Sequence, residues 1–307
     1  SLRNKIMPLA DDVIVYPAHG AGSACGKNLS KETIGTIGNQ KKVNYALRAD
    51  MSKEEFIKEV TDGLLPPPAY FPLNVKLNRE GYQSIDKIIA KGTTALSVDD
   101  FEKMANDTDA LILDVRHQSE FIKGFIPRSI FIGIDGGFAP WVGALIKDIE
   151  QPILIVAPKG REEEVIIRLS RVGFDNTLGY LEGSFTAWKE AGKKIDTLKS
   201  VSAQTLKNEI KENNVPVFDV RKPGEYTSEH VLEATSTPLD YINSHLKEFP
   251  SDRNFYIHCA GGYRSVIASS ILKARGIHNV IDVAGGYSAI KKTEITTTEK
   301  VCPSTLK

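Results

Sequence analysis

Short apolar runs alternate with stretches of helical spacing over most of this chain. Ala110–Leu113 and Pro152–Val156 read as buried strands, and Glu162–Arg171 places Val165, Ile166 and Leu169 on one helical face. The same order returns further on: Pro216–Val220 and Asn254–His258 as strands, Ser265–Arg275 as the helix. Gly173 and Gly276 stand where C-terminal helix caps belong. Strands alternating with helices predict an α/β fold, a mostly parallel sheet with helices on both faces. In such sheets a site lies at the carboxyl ends of the strands.

The pattern is a tandem repeat. Leu113-Asp114-Val115-Arg116…Glu120-Phe121 returns as Phe218-Asp219-Val220-Arg221…Glu225-Tyr226. Leu181-Glu182-Gly183-Ser184-Phe185 returns as Val283-Ala284-Gly285-Gly286-Tyr287. A spacing of roughly 100 residues is too long for a solenoid, so the copies are two domains. The segment before residue 95 differs. Asp12–Tyr16 is an apolar strand, Lys53–Val60 is helical and Leu65-Pro66-Pro67-Pro68 is a stiff break. So few strands do not make an independent core. With no initiator Met, this segment is expected to be the tail of a larger domain.

Composition narrows the function classes. The 307 residues are 41% hydrophobic and 25% charged, which suits ordinary globular domains and excludes disorder or a disulfide scaffold as the main story. Lys+Arg and Asp+Glu are 39 each, so no basic excess points to nucleic acid. No apolar run is long enough to span a membrane, and Ser1–Lys5 does not open a signal peptide. Cys25, Cys259 and Cys302 are widely spaced and odd in number, which suits free thiols in a reducing cytoplasm.

The sharpest signal is His258-Cys259-Ala260-Gly261-Gly262-Tyr263-Arg264-Ser265, between a strand and a helix. A loop wound around a cysteine aims backbone N–H groups at the sulfur, and the following helix adds its positive end. Both stabilise a thiolate, which is the nucleophile. Gly261 and Gly262 let the loop close tightly. Arg264 brings a planar donor fork for an anionic substrate group. Strand alternation turns His258 away from the side of Cys259, toward packing rather than base catalysis.

These residues resemble the rhodanese (thiosulfate sulfurtransferase) family. The Asp219–Tyr226 block, His230-Val231-Leu232-Glu233-Ala234, the Cys259–Arg264 loop and Gly285–Ala289 fall in that family's order, over roughly 200–292 and again 95–192. The resemblance implies that Cys259 is catalytic, taking a sulfane sulfur as a persulfide and passing it to a thiol or cyanide. It implies that Ala260, Gly261, Gly262, Tyr263, Arg264 and Ser265 form the substrate loop, and that Asp219 and Arg221 are structural supports. The donor would be thiosulfate or a low-molecular-weight thiol persulfide, the acceptor a thiol, with no cofactor in this domain. Cys259 to Arg264 is six residues, the length associated with sulfur transfer; the related phosphatase branch has one more. In the first copy the stretch is Val156-Ala157-Pro158-Lys159-Gly160-Arg161, one residue short if Arg161 matches Arg264. Ala157 or Val156 falls in the cysteine slot, Pro158 removes an N–H, and Glu162–Glu164 bring negative charge. The first copy is therefore expected to be silent.

Val13-Ile14-Val15-Tyr16-Pro17-Ala18-His19-Gly20-Ala21-Gly22-Ser23 resembles the last strand and loop of the persulfide dioxygenase and glyoxalase II branch of the metallo-β-lactamase superfamily, an αββα fold. The resemblance implies a persulfide dioxygenase–sulfurtransferase fusion, iron or zinc in the parent domain and a homo-oligomer. In hydrolases of that branch the residue at His19 ligates the second metal; in mononuclear iron dioxygenases it does not. His-x-His-x-Asp-His is absent from these 307 residues, so the metal site is incomplete here. The resulting division is 1–75 metallo-β-lactamase remnant, 76–94 linker, 95–195 silent rhodanese-like domain, 196–295 active rhodanese domain and 296–307 tail. Cys25 is read as a loop thiol or a redox group, and Ala21–Asn28 as a failed phosphate loop, since Ala21 and Asn28 fill its first Gly and its Ser/Thr positions. Trp188 is expected in the core. Three other functions compete: a thioester-cleaving metallohydrolase, a non-catalytic binding platform and, weakest, a phosphatase.

Overall fold

The computed structural model describes residues 1–17, 32–62 and 70–301. His19, Cys25, the 21–28 loop, Pro66–Pro68 and Cys302 lie outside the described residues. The chain divides into two compact units, Ser1–Pro67 and Pro68–Lys307.

In the first unit β1 (Ile14–Val15) pairs antiparallel with β2 (Gly35–Thr36). The Lys53–Thr61 helix starts on a capping box: the Glu55 N–H donates to Ser52 Oγ while the Ser52 N–H donates to the Glu55 carboxylate.

The second unit holds both repeats. In the first, β3 (Ala95–Leu96), β4 (Leu111–Asp114), β5 (Ile130–Phe131), β6 (Ile153–Val156) and β7 (Thr177–Leu181) form a parallel sheet in the order β3-β7-β6-β4-β5. In the second, β8 (Ser200–Val201), β9 (Val217–Asp219), β10 (Thr235–Ser236), β11 (Phe255–His258) and β12 (Val280–Val283) repeat that order strand for strand. The central strands β6 and β11 are buried at every residue, as continuous apolar runs covered on both faces require. The helices Glu162–Ser170 and Tyr263–Ala274 follow them. Trp188 packs edge-on to Phe101 in the core of the first copy. Residues 76–94, read above as a linker, carry the end of the Phe71–Glu80 helix and all of Ile85–Gly92, whose Ile88 joins the core.

The copies share one apolar cluster: Phe131, Ile134 and Phe138 of the first are continuous with Leu239, Val266 and Ile267 of the second. Among the described residues no helix is long and apolar enough to cross a membrane.

Candidate active site at the Cys259 loop

Register places the site. His258 on β11 pairs with Asp219 on β9, so Cys259 is the first residue beyond the carboxyl end of the central strand. Its sulfur accepts the Gly262 N–H at 3.1 Å. Gly262 is the N-cap of the Tyr263–Ala274 helix at φ 97°, a left-handed conformation that costs glycine nothing. The helix therefore begins one turn past the sulfur, and both the amide and the helix end favour negative charge there. Cys259 is buried, whereas Gly261 is exposed and a side chain on it would meet nothing. Gly262 is thus the glycine that the winding requires, and Gly261 leaves the loop open.

The second glycine block locks the loop from beneath. The Tyr287 N–H donates to the Cys259 carbonyl at 2.6 Å, and the Ser288 N–H to the Ala260 carbonyl at 2.9 Å. Gly286 lies so close that a Cβ there would fall on the Cys259 carbonyl oxygen. The carbonyls point down into the Gly286–Ile290 helix start, and the Gly262 N–H is left for the sulfur.

Behind the loop, Asp219 and Arg221 form the buried support. Arg221 Nε donates to both Asp219 oxygens at 3.0 and 2.8 Å, and Nη2 to Oδ2 at 2.6 Å. Nη2 also donates to the Glu229 carbonyl, and the guanidinium lies 3.8 Å over the Tyr287 ring. Burial and the nearby Glu229 carboxylate push the Tyr287 phenol up to about 12. His258 is fully buried, with Nδ1 3.3 Å from the Cys259 carbonyl oxygen and 3.9 Å from Asp219 Oδ1. Burial holds its pKa below the ordinary imidazole value despite that carboxylate.

Three loop residues differ from the sequence expectation. Arg264 does not present an open fork: Nη1 and Nη2 bind the two Glu225 carboxylate oxygens at 2.7 and 2.9 Å. This bidentate pair uses the geometry expected for substrate, because a carboxylate offers the same planar acceptor. It raises the Arg264 pKa and holds Glu225 below the usual carboxylate range. Tyr263 turns its side chain away from the sulfur, and its hydroxyl donates to the Gly133 carbonyl of the first copy at 2.8 Å. Ser265 is fully buried on the helix, beside Asp282, and faces the core rather than the loop mouth. Sequence reasoning gave no role to Glu225 or Gly286; the signals were the acid that recurs as Glu120 and Glu225, and a second glycine at 286 where the first copy has Ser184.

The first copy keeps the support and loses the nest. Val156 pairs with Asp114 as His258 pairs with Asp219, so Ala157 fills the cysteine slot. Arg116 grips Asp114 through the same bonds and lies 4.3 Å over Phe185. The Gly160 N–H, however, donates to Glu162 Oε1 at 3.1 Å. The protein's own carboxylate occupies an amide of the anion site.

Among the described residues no three His, Cys, Asp or Glu side chains converge as a metal site needs. His19 lies outside those residues.

The chain is similar to known proteins. A family profile described as rhodanese-like domain matches residues 97–191 and again 202–293. A protein of Allochromatium vinosum named sulfurtransferase is 27% identical over 93 residues, 30% of this chain and 87% of that protein. The crystal structure of a rhodanese-like domain protein from Staphylococcus aureus is 32% identical, covering 34% of this chain and all of that one, with a TM-score of 0.31. A metallo-beta-lactamase from the same organism is 24% identical over 57% of this chain and 47% of its own, with a TM-score of 0.40. The chain spans about half the length of other curated relatives it matches, 56% and 55% of two of them.

Proposed function

The chain belongs to the rhodanese-like family, with two copies of its domain, and from that premise we propose that it is a sulfurtransferase carrying sulfane sulfur on Cys259. The observation that carries this reading is the Gly262 N–H directed at the Cys259 sulfur at 3.1 Å, at the start of a helix. An anionic sulfur is the species such a site favours, whether thiolate or persulfide.

The reaction has two displacements. The Cys259 thiolate attacks the outer sulfur of the donor, and the donor's S–S bond breaks. Thiosulfate leaves as sulfite, and a thiol persulfide leaves as thiolate, each with the bonding pair. Cys259 then holds a persulfide whose terminal sulfur bears the negative charge. An acceptor thiolate or cyanide attacks that terminal sulfur, the protein S–S bond breaks, and the Cys259 thiolate returns. The Gly262 amide and the helix end stabilise the anionic sulfur in both steps. His258 is fully enclosed, and burial holds its pKa below the ordinary imidazole value, so no proton is routed through it in this scheme.

In the wider protein we place this activity beside a persulfide dioxygenase, on the likeness of Val13–Ser23 and the tandem arrangement of the copies. The test of the sulfurtransferase is thiocyanate release from thiosulfate or a thiol persulfide with cyanide as acceptor. Turnover is expected to vanish in Cys259→Ser; wild-type turnover in that variant removes the mechanism. The test of the fusion is the metal content of the full-length protein. One iron per chain is the expected result, and two zinc-like ions favour a hydrolase instead.

A further inference from the structure

Tyr263 joins the reactive loop to the silent copy. It directly follows Gly262, whose amide meets the Cys259 sulfur, and it opens the Tyr263–Ala274 helix. Its ring sits in a notch of the first copy. The hydroxyl donates to the Gly133 carbonyl at 2.8 Å, and Phe131 meets the ring edge-on with centroids 5.9 Å apart. Gly133 and Gly136 border the notch: a Cβ on Gly136 would stand 2.2 Å from Tyr263 Cζ and 2.5 Å from its hydroxyl, and one on Gly133 would stand 3.2 Å from the ring. At Gly133 the first copy's own Phe131 ring and Arg116 carbonyl stand nearer still, at 2.9 and 3.1 Å, whereas at Gly136 the three nearest atoms all belong to Tyr263, 127 residues away in sequence.

The same helix is held twice more. Ser270 Oγ accepts the Phe131 N–H at 2.9 Å, satisfying an edge-strand donor, and Lys273 Nζ pairs at 3.1 Å with Asp196, which follows the first domain and is bridged to its Phe125. Positions 263, 270 and 273 share one helical face. The first copy thus grips the active helix along its length, and its grip begins at the residue next to the amide that matters.

We propose that Tyr263 is a positioning residue: the silent copy clamps its ring and so sets the Gly262 amide against the Cys259 sulfur. This rests on the sulfurtransferase reading above. The first copy retains its fold without a nucleophile because the second copy's loop is built against it.

The experiment is a double-variant cycle on the full chain, with Gly136→Ala, Tyr263→Ala and both together. It reads the single-turnover rate of persulfide formation on Cys259 and the sulfur loaded per chain. Gly136→Ala and Tyr263→Ala are each expected to slow loading about tenfold, because a misplaced donor no longer meets the charge that develops. The loaded amount stays at one sulfur per chain, which partial unfolding would reduce. The double variant is expected to be no slower than Tyr263→Ala, since an empty notch accepts a methyl group. Tyr263→Phe keeps the ring and restores the rate to within about threefold of the parent, losing one hydrogen bond. Rates within about twofold for Gly136→Ala and Tyr263→Ala, or losses that multiply in the double variant, overturn the positioning role. Sulfur loading that survives Cys259→Ser overturns the sulfurtransferase reading instead, so the two failures are told apart.

Discussion

The two halves of the repeat have the same skeleton and aim their loop amides at different partners. Both hold a buried Asp–Arg pair, Asp114–Arg116 and Asp219–Arg221, with the guanidinium over an aromatic ring. Both follow the central strand with a loop and a helix. In the second copy the loop amide turns to a sulfur; in the first it turns to the Glu162 carboxylate. The buried pair, kept in both copies, belongs to the fold, and the proposed chemistry rests on what the loop amides face.

Changes at four places in the fold break or sharpen that contrast. The largest is at the nucleophile. Cys259→Ser is expected to lower cyanide-dependent turnover at least about a thousandfold, because a serine alkoxide is not available at neutral pH. The reciprocal Ala157→Cys, added to Cys259→Ser, is expected to restore less than about 1% of turnover. Pro158 has no N–H, and the Gly160 amide already serves Glu162. Recovery above that level in a thiocyanate assay would show that the amides do not decide activity.

Next are the supports. Arg116→Ala and Arg221→Ala each leave a buried carboxylate without its partner, and each is expected to cost about 3–5 kcal/mol in denaturant unfolding. Comparable losses identify a shared structural role. A large loss of turnover in Arg221→Ala with unchanged stability would place Arg221 in the reaction instead.

Gly286→Ala puts a methyl group on the Cys259 carbonyl and is expected to slow sulfur loading about tenfold. Its counterpart in the first copy is Ser184, which already holds a left-handed φ of 57°. Ser184→Gly is expected to stabilise the protein by about 1 kcal/mol and leave turnover unchanged. Thermal unfolding and initial rates on both variants test the pair.

The smallest effect is at Glu225. Glu225→Gln releases the Arg264 fork, and kcat/KM for thiosulfate is expected to rise about threefold, since a sulfonate gains a cationic partner. The same variant has a pH signature. Arg264 holds the Glu225 pKa below its unfolded value, so the pair's stability is fully present above the ordinary carboxylate pKa. It is lost as pH falls through the lower folded value. Glu225→Gln is expected to flatten this acid arm, and unfolding midpoints across that range measure it.

Much of this was legible along the chain, because it depends on near neighbours. The Asp-Val-Arg run, the apolar strands and the glycine loop before a helix are local patterns, and the structure places Val217–Asp219, Phe255–His258 and Tyr263–Ala274 where those patterns stand. The side chains that cross the fold were not legible. Glu225 reaches Arg264 across 39 positions and Tyr263 reaches Gly133 across 130. A donor fork beside a reactive cysteine suits a substrate anion and a protein carboxylate equally well. Only the packing of the Pro223–Ser228 helix beside the loop selects the carboxylate. The acidic run at Glu162–Glu164 marked the first copy as unsuited to an anion, but not that Glu162 itself would take an amide.

The most direct measurement is the mass of the Cys259 peptide after the full chain has met a thiol persulfide, and again after cyanide. The account predicts a gain of about 32 Da on that peptide, its loss on cyanide treatment, and one thiocyanate released per sulfur lost. An unmodified Cys259 in a chain that still turns over, with the added sulfur on Cys25 or Cys302, would contradict it.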